Sequence, residues 1–499
     1  MVNRLTLYSI LIVVLSGCAN TRVIQSETSH FKATEEFYQS ITRPSAIDES
    51  TLNLFLTKMP KGADIHHHYS GTIYAETYLD WVKEKGWLIN PCTSRIITSN
   101  KKTKIKACDK PAMTVQELLN DNRSFRQLLM LWSNKDFSNH FHEQVPPDSN
   151  FFNTFGYFGP ISDDNQAIGL KIIKQRAIDE NVSYIETMLS RVGVKAKNFF
   201  DNQQSISLID ELRKTESQKE VDTILKKIDD AVLNNSDFVS QVKSFVDTLE
   251  QDHQGIDQSN FTMRYQSYAV RVLNPLQVYL DLLAGYQACE TSPLFVGVNI
   301  VAPENNATAL ADYTLHMRMY NYLARNYPQV GRALHAGELT LGMVRPEDLL
   351  FHIEEARNIA KAQRIGHGID IPYEKNSINV LKDLKENAVV EINLTSNEFI
   401  LGVKHNAHPY NIYSKYDVPM VISTDDSGVS RNNLTNEFVL LTTRYRPDYS
   451  QIKEYVFNSI KYSFLTEEKQ KEIMKDLSLR FQVFEKEMSG LWSQIKQAQ

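Results

Sequence analysis

The stretch "MPKGADIHHHYSG", Met59 to Gly71, decides how the fold is read, because a short apolar run ends in it on three consecutive histidines. Ala63-Asp64-Ile65 reads as the end of a strand, and Gly71 supplies a turn. Residues two apart in a strand share a face, so His66 and His68 point together while His67 points away. The same design, a brief β-type run followed by polar residues, recurs along the chain. The runs are Ala63–His66, Val182–Met188, Phe261–Val270, Leu294–Val301, Arg332–His335, Arg364–Gly366, Val389–Leu394 and Met420–Thr424. Amphipathic helical segments such as "PEDLLFHIEEARNIAKA" lie between several of them. This alternation argues for a parallel sheet, and eight units suggest a (β/α)8 TIM barrel, with a doubly wound open sheet as the alternative.

The chain has 499 residues, 42% hydrophobic and 23% charged, which is ample for a folded core. A net charge of −6 without a strongly basic block gives no footprint for nucleic acid. Residues 28–58 read as an N-terminal helical region, and 59–499 as the barrel with C-terminal helices. The long gap after the first strand predicts an insertion at about 87–150. "IDELRKTESQKEVDTILKKIDDAVLNN" reads as helices with a solvated charged face.

Residues 1–17 read as a signal peptide: Arg4, an apolar run from Leu5 to Leu15, and the cleavage site Leu15-Ser16-Gly17-Cys18. That site resembles a bacterial lipobox. The resemblance implies lipidation of Cys18, a tether over 18–27, and an exported lipoprotein held at the outer membrane, facing the periplasm or the cell surface. In an oxidising compartment a disulfide between Cys92 and Cys108 would close their Lys-rich loop; two free thiols are the alternative. Cys289 reads as a buried thiol.

Active sites of barrels sit at the C-terminal strand ends. There the sequence places "RALHAGE" (His335, Glu338), "RIGHG" (His367), "EINLTSNE" and "VISTDDSG" (Asp425, Asp426). Imidazoles and one carboxylate suit zinc with an open position for water, whose pKa the ion lowers towards 7.

Together, H-x-H, HAGE, GHG, S-x-N and T-DD resemble the adenosine deaminase family in order and placement, over roughly residues 59 to 450. "MPKG…HxH" followed by Trp81 and a cysteine-bearing insertion is similar to the secreted, growth-factor-type branch, which implies a homodimer formed through the N-terminal helices. The resemblance implies one Zn2+ per chain, ligated by His66, His68, His335 and Asp425. It also implies that Glu338 protonates N1 of the purine, that His367 positions the attacking hydroxide, and that Asp426 hydrogen-bonds N7. Ala302 stands where the family uses a glycine whose amide meets the base. Family members carry an acid just after the second histidine; here Tyr69 and Ser70 stand there. They are expected to touch the sugar end, leaving 5′-substituents unusually well tolerated. The implied activity is hydrolytic deamination of adenosine, or a related 6-aminopurine nucleoside, to inosine and ammonia, by attack of the zinc-activated water at C6. Alternatives are another mononuclear or binuclear amidohydrolase, or a non-catalytic nucleoside- or receptor-binding protein on this fold. A cytidine-type deaminase is excluded, because no P-C-x-x-C accompanies His352-Ile353-Glu354.

Overall fold

The computed structural model describes residues 28–100, 110–135, 137 and 145–498. Eight parallel strands run in sequence order around a barrel. They are β1 (Gly62–His68), β2 (Val182–Ser190), β3 (Thr262–Val270), β4 (Phe295–Val301), β5 (Gly331–Ala336), β6 (Arg364–His367), β7 (Val389–Ile392) and β8 (Met420–Ile422). Every expected run is a strand, and the open-sheet alternative is excluded by the way β8 returns to β1. Asp425 N donates to His66 O at 3.0 Å, and His68 N donates to Asp425 O at 3.2 Å. Below them, Asp64 accepts from Thr424 N (3.3 Å) and Thr424 Oγ1 (2.6 Å). This seam is short, and it lies at the end of the barrel where the histidines are.

The strands read as apolar because both their faces are covered, outside by helices and inside by packed side chains. The interior also carries a buried ionic layer. Arg364 pairs with Glu186 at 2.6 Å and with Glu391 at 2.7 Å. Charges this deep persist only when paired, and here the pairing places Glu391 directly beneath His66.

The charged stretch after β2 forms the helices Asn202–Arg213, Gln218–Val232 and Ser236–Asp252. The first two open with capping boxes, Asp201/Gln204 and Ser217/Glu220, which satisfy their free amides. Residues 28–42 are helical, as is Glu49–Lys58. Both pack against the last helix, Glu467–Ala498: Phe37 stacks on Trp492 and Phe55 meets Phe484 edge-on.

The region after β1 holds a small antiparallel sheet (Leu88–Ile89, Ile96–Ile97, Met113–Thr114) and the helices Val115–Asn120 and Asn122–Trp132. A further helix, Pro147–Asp163, begins inside the expected insertion and runs on over the barrel mouth. Cys92 takes part in a disulfide, whereas Cys289 is free. Cys108, its expected partner, lies outside the described residues, as do the leader, the tether and Cys18. No helix among the described residues is long and apolar enough to cross a membrane.

Candidate active site

His66 and His68 project from the end of β1, His335 from β5 and His367 from β6. Asp425 and Asp426 follow β8. Asp425 Oδ1 lies 3.4 Å from His66 Nε2 and 3.2 Å from His68 Nε2, and His68 Nε2 lies 3.2 Å from His335 Nε2. Two glycines make this crowding possible. A Cβ on Gly366 would stand 2.7 Å from the His66 ring, and one on Gly71 would overlap the Asp426 carboxyl. The motifs GHG and HHHYSG therefore need these glycines for space. His67 points away, as the strand alternation predicts, and meets Thr187 Oγ1 at 2.8 Å.

Two sets of groups lie close enough to share an ion: His66, His335, His367 and Asp425, and also His68, Asp425 and Asp426. Hydrogen-bond polarity decides among them. His66 Nδ1 faces the Glu391 carboxylate at 2.6 Å, so it carries the proton and Nε2 keeps its lone pair. Asn299 Oδ1 accepts from the backbone amides of Ile300 and His335, which identifies it as oxygen. His335 Nδ1 must then donate to it at 2.9 Å, and its Nε2 is likewise a lone pair. His367 differs: its Nδ1 faces the Asn397 amide at 2.9 Å, as if to accept, and its Nε2 points into the site. His66 and His335 thus offer lone pairs to a divalent cation beside Asp425, with His68 Nε2 3.2 Å from both Asp425 and His335. His66 Nε2 is buried without a hydrogen-bond partner, as a ligand atom should be.

Charge in the site agrees. Burial disfavours a charged His66, yet Asp425 and Glu391 outweigh it and raise its pKa to about 10, which marks a place built for positive charge. Burial keeps His68 and His335 neutral, and lowers His367 to about 3. Asp425 is pushed up by burial, but the neighbouring His66 and His68 prevail and hold it well below the carboxylate range. Glu338 goes the other way: burial first, then Asp425 and Glu304, keep it protonated. Asp426 is raised by burial and by Asp425. Neutral His68, His335 and His367, one carboxylate and two carboxylic acids held towards their neutral forms therefore surround His66.

The chamber is a cavity of about 330 Å3 lined by His68, His335, Glu338, His367, Asp425 and Asp426. Ser70 and Ala302 also line it, where the sequence placed them. Ala302 has φ +84°, a left-handed turn that glycine adopts more easily than alanine. Tyr69 does not reach the cavity. Its ring packs on Gly169 and its hydroxyl faces Ser162 O, because the helical turn Tyr69–Thr72 directs adjacent residues to different sides. Asp425 and Asp426 lie beyond the end of β8 and diverge through the left-handed turn at Asp425 (φ +61°).

Three features were missed in the sequence. Phe151, Phe152, Phe155 and Phe158 form an aromatic wall from the helix Pro147–Asp163, and their helical spacing was the available signal. Asp163, at the end of that helix, brings a carboxylate to the cavity from a part of the chain remote from Ser70. Glu304 accepts from the amides of Gly337 (3.0 Å) and Glu338 (2.9 Å) and from His352 Nδ1 (2.5 Å), beside Arg271. Burial opposes its charge, but Arg271 and His352 hold it down at about 2.

Residues 287–479 match the adenosine deaminase family model, a segment that carries His335, Glu338, His367, Asp425 and Asp426. Over that segment the chain resembles the adenosine deaminase family. An adenosine deaminase of Clostridium perfringens is 29% identical over 184 residues, 37% of this chain and 52% of the relative. One of Clostridium botulinum is 33% identical over 198 residues, 39% of this chain and 56% of the relative. The chain thus spans about half the length of the curated relatives it matches. The fold is shared more widely. An Arabidopsis N6-mAMP deaminase superposes with a TM-score of 0.55 at 15% identity, covering 85% of this chain and 99% of that one. An amidohydrolase of Burkholderia ambifaria with bound Zn gives 0.52 at 12% identity, covering 90% and 96%. β1, with His66 and His68, lies outside the matched segment, and the barrel alone brings it to the site.

Proposed function

We propose that the protein is a metal-dependent deaminase that converts adenosine, or a related 6-aminopurine nucleoside, to inosine and ammonia. The observation that carries this reading is the juxtaposition of a three-histidine, one-aspartate donor set with protonated Glu338 and Asp426 in one cavity. The adenosine deaminases of Clostridium support it through sequence, and purines occupy two proteins of the same fold, an ADAL–IMP complex and an Arabidopsis ADAL with GMP. A zinc ion held by His66, His68, His335 and Asp425 would supply a water of lowered pKa at neutral pH.

The chain's own residues supply the rest. Addition of water oxygen at C6 moves an electron pair onto N1, and the neutral carboxyl of Glu338 can place a proton there. The two protons of the water complete the balance: one replaces the proton that Glu338 gave to N1, and the other joins the amino group, which leaves as ammonia as the C6 oxygen becomes a carbonyl. N7 of a purine only accepts, so Asp426 must donate to it, which its neutral form can do. Ala302 lines the same space, and the phenylalanine wall would cover the apolar faces of the base and exclude water.

The test is ammonia release by the purified, zinc-loaded chain from nucleosides, nucleotides, free bases, and simple amides and esters. Turnover confined to 6-aminopurine nucleosides is expected, with close to one zinc per chain. Hydrolysis of amides or esters without purine turnover would overturn the reading, and two tightly bound metals would favour a binuclear hydrolase.

Export is proposed separately, on the Leu15-Ser16-Gly17-Cys18 motif. Cys18→Ser should release the protein from membranes with catalysis intact, and a freely soluble wild-type protein would refute the anchor.

A further inference from the structure

His367 is 1% exposed, and its Nε2 is directed into the cavity without a hydrogen-bond partner. Its other nitrogen begins a chain of contacts that ends on a group of known polarity. Nδ1 lies 2.9 Å from Asn397 Nδ2 and 3.4 Å from Asn393 Nδ2. Asn397 Oδ1 lies 3.1 Å from His408 Nε2, and His408 Nδ1 lies 3.1 Å from the amide of Tyr410.

A backbone amide can only donate, so His408 Nδ1 accepts and its proton sits on Nε2. That proton is donated to Asn397, which fixes the oxygen end of the Asn397 side chain towards His408. The amide NH2 end therefore faces His367, whose Nδ1 accepts. The proton of His367 is left on Nε2, facing the cavity. Asn397 and His408 are both buried, so water does not scramble the order.

We infer that Asn397 and His408 are positioning residues that fix His367 as a hydrogen-bond donor to the attacking water, and keep it out of the metal's ligand set. His408 lies in "KHNAHPY", outside every motif of the site, and touches neither ligand nor cavity. The kinetic consequence rests on the deaminase reading; the placement of the proton does not.

The experiment is nitrogen-15 NMR of the histidine rings in the zinc-loaded chain, with His367 assigned by its loss in H367Q. The expected spectrum shows His367 protonated at Nε2 and bare at Nδ1. Protonation at Nδ1, or a mixture, overturns the inference. Asn397→Asp offers only acceptors, so it should move the proton to Nδ1 and lower kcat by about 10- to 100-fold with KM changed far less. An unmoved proton in that variant, or a moved proton with unchanged kcat, also counts against it. If the variant fails to fold, the wild-type spectrum still decides. Absence of purine turnover alongside the expected spectrum would strike the deaminase reading alone.

Discussion

Glu338 shows at the scale of one residue how a protein keeps an acid protonated and still aims it. Burial and neighbouring carboxylates hold the proton on, while Glu304 grips the amides of Gly337 and Glu338. Glu338→Gln keeps the shape and touches no metal ligand. It should retain zinc and lose turnover by roughly 10²-fold or more, measured as kcat with zinc content by elemental analysis. A near-normal kcat would return Glu338 to a structural role. Asp163 carries a different prediction, because it replaces the expectation that the sugar end meets no carboxylate. No cationic side chain lines the cavity among the described residues, and Asp163 sits exposed on its wall. A 5′-phosphate would meet repulsion and no partner there. Asp163→Asn should raise the ratio of kcat/KM for AMP over adenosine on the order of threefold to tenfold, a modest change because the group is exposed. An unchanged ratio would place the 5′ end elsewhere.

At the scale of elements, strand ends and helix starts carry the chemistry, which is why so much of the site was legible. HAGE, GHG and TDD are contiguous, since each ligand or acid leaves its strand within a few residues. The aromatic wall, Asp163 and the Asn397–His408 pair were not legible, because each acts through packing between elements distant in sequence. The helix Leu394–Leu401 illustrates this. Its first amides, at Leu394 and Thr395, are satisfied by Glu437, which comes from the helix Leu434–Tyr445 and also contacts Asn432. Burial raises Glu437 to about 7, with Thr395 and Asn432 opposing. Its folded pKa thus exceeds the ordinary 4.5, so the folded state prefers the protonated form. That contribution to stability is complete below pH 4.5 and is lost as pH rises through 7. Glu437→Gln mimics the neutral acid, and should flatten the fall in stability between pH 5 and 8 by on the order of 3 kcal/mol. Denaturant titrations at several pH values measure this. An identical slope in both proteins would show that Glu437 is not the titrating group.

At the scale of the whole molecule, the barrel closes where its metal would bind. Neighbouring strands elsewhere pair through two or more residues each, but β8 meets β1 through a single bridge at His67 and Asp425, backed by Thr424 and Asp64. The donor set spans that seam, with His66 and His68 on β1 and Asp425 beyond β8, while His335 ties both to β5. An ion bound there would hold together the weakest contact of the barrel. Without it, Asp425 Oδ1 has only the ring nitrogens of His66 (3.4 Å) and His68 (3.2 Å) beside it. Removing zinc by chelation should therefore lower Tm, and the loss should grow with the zinc affinity as expected for a ligand that binds only the folded state. Hydrogen exchange should rise first at the amides of His68 and Asp425, whose bonds form the seam, and later in β3 and β4, which are paired on both sides. Asp425→Asn should reproduce both effects in the presence of zinc. A chelated protein with unchanged Tm and uniform exchange would mean that the seam is closed by packing alone, and that the ion serves chemistry without serving the fold.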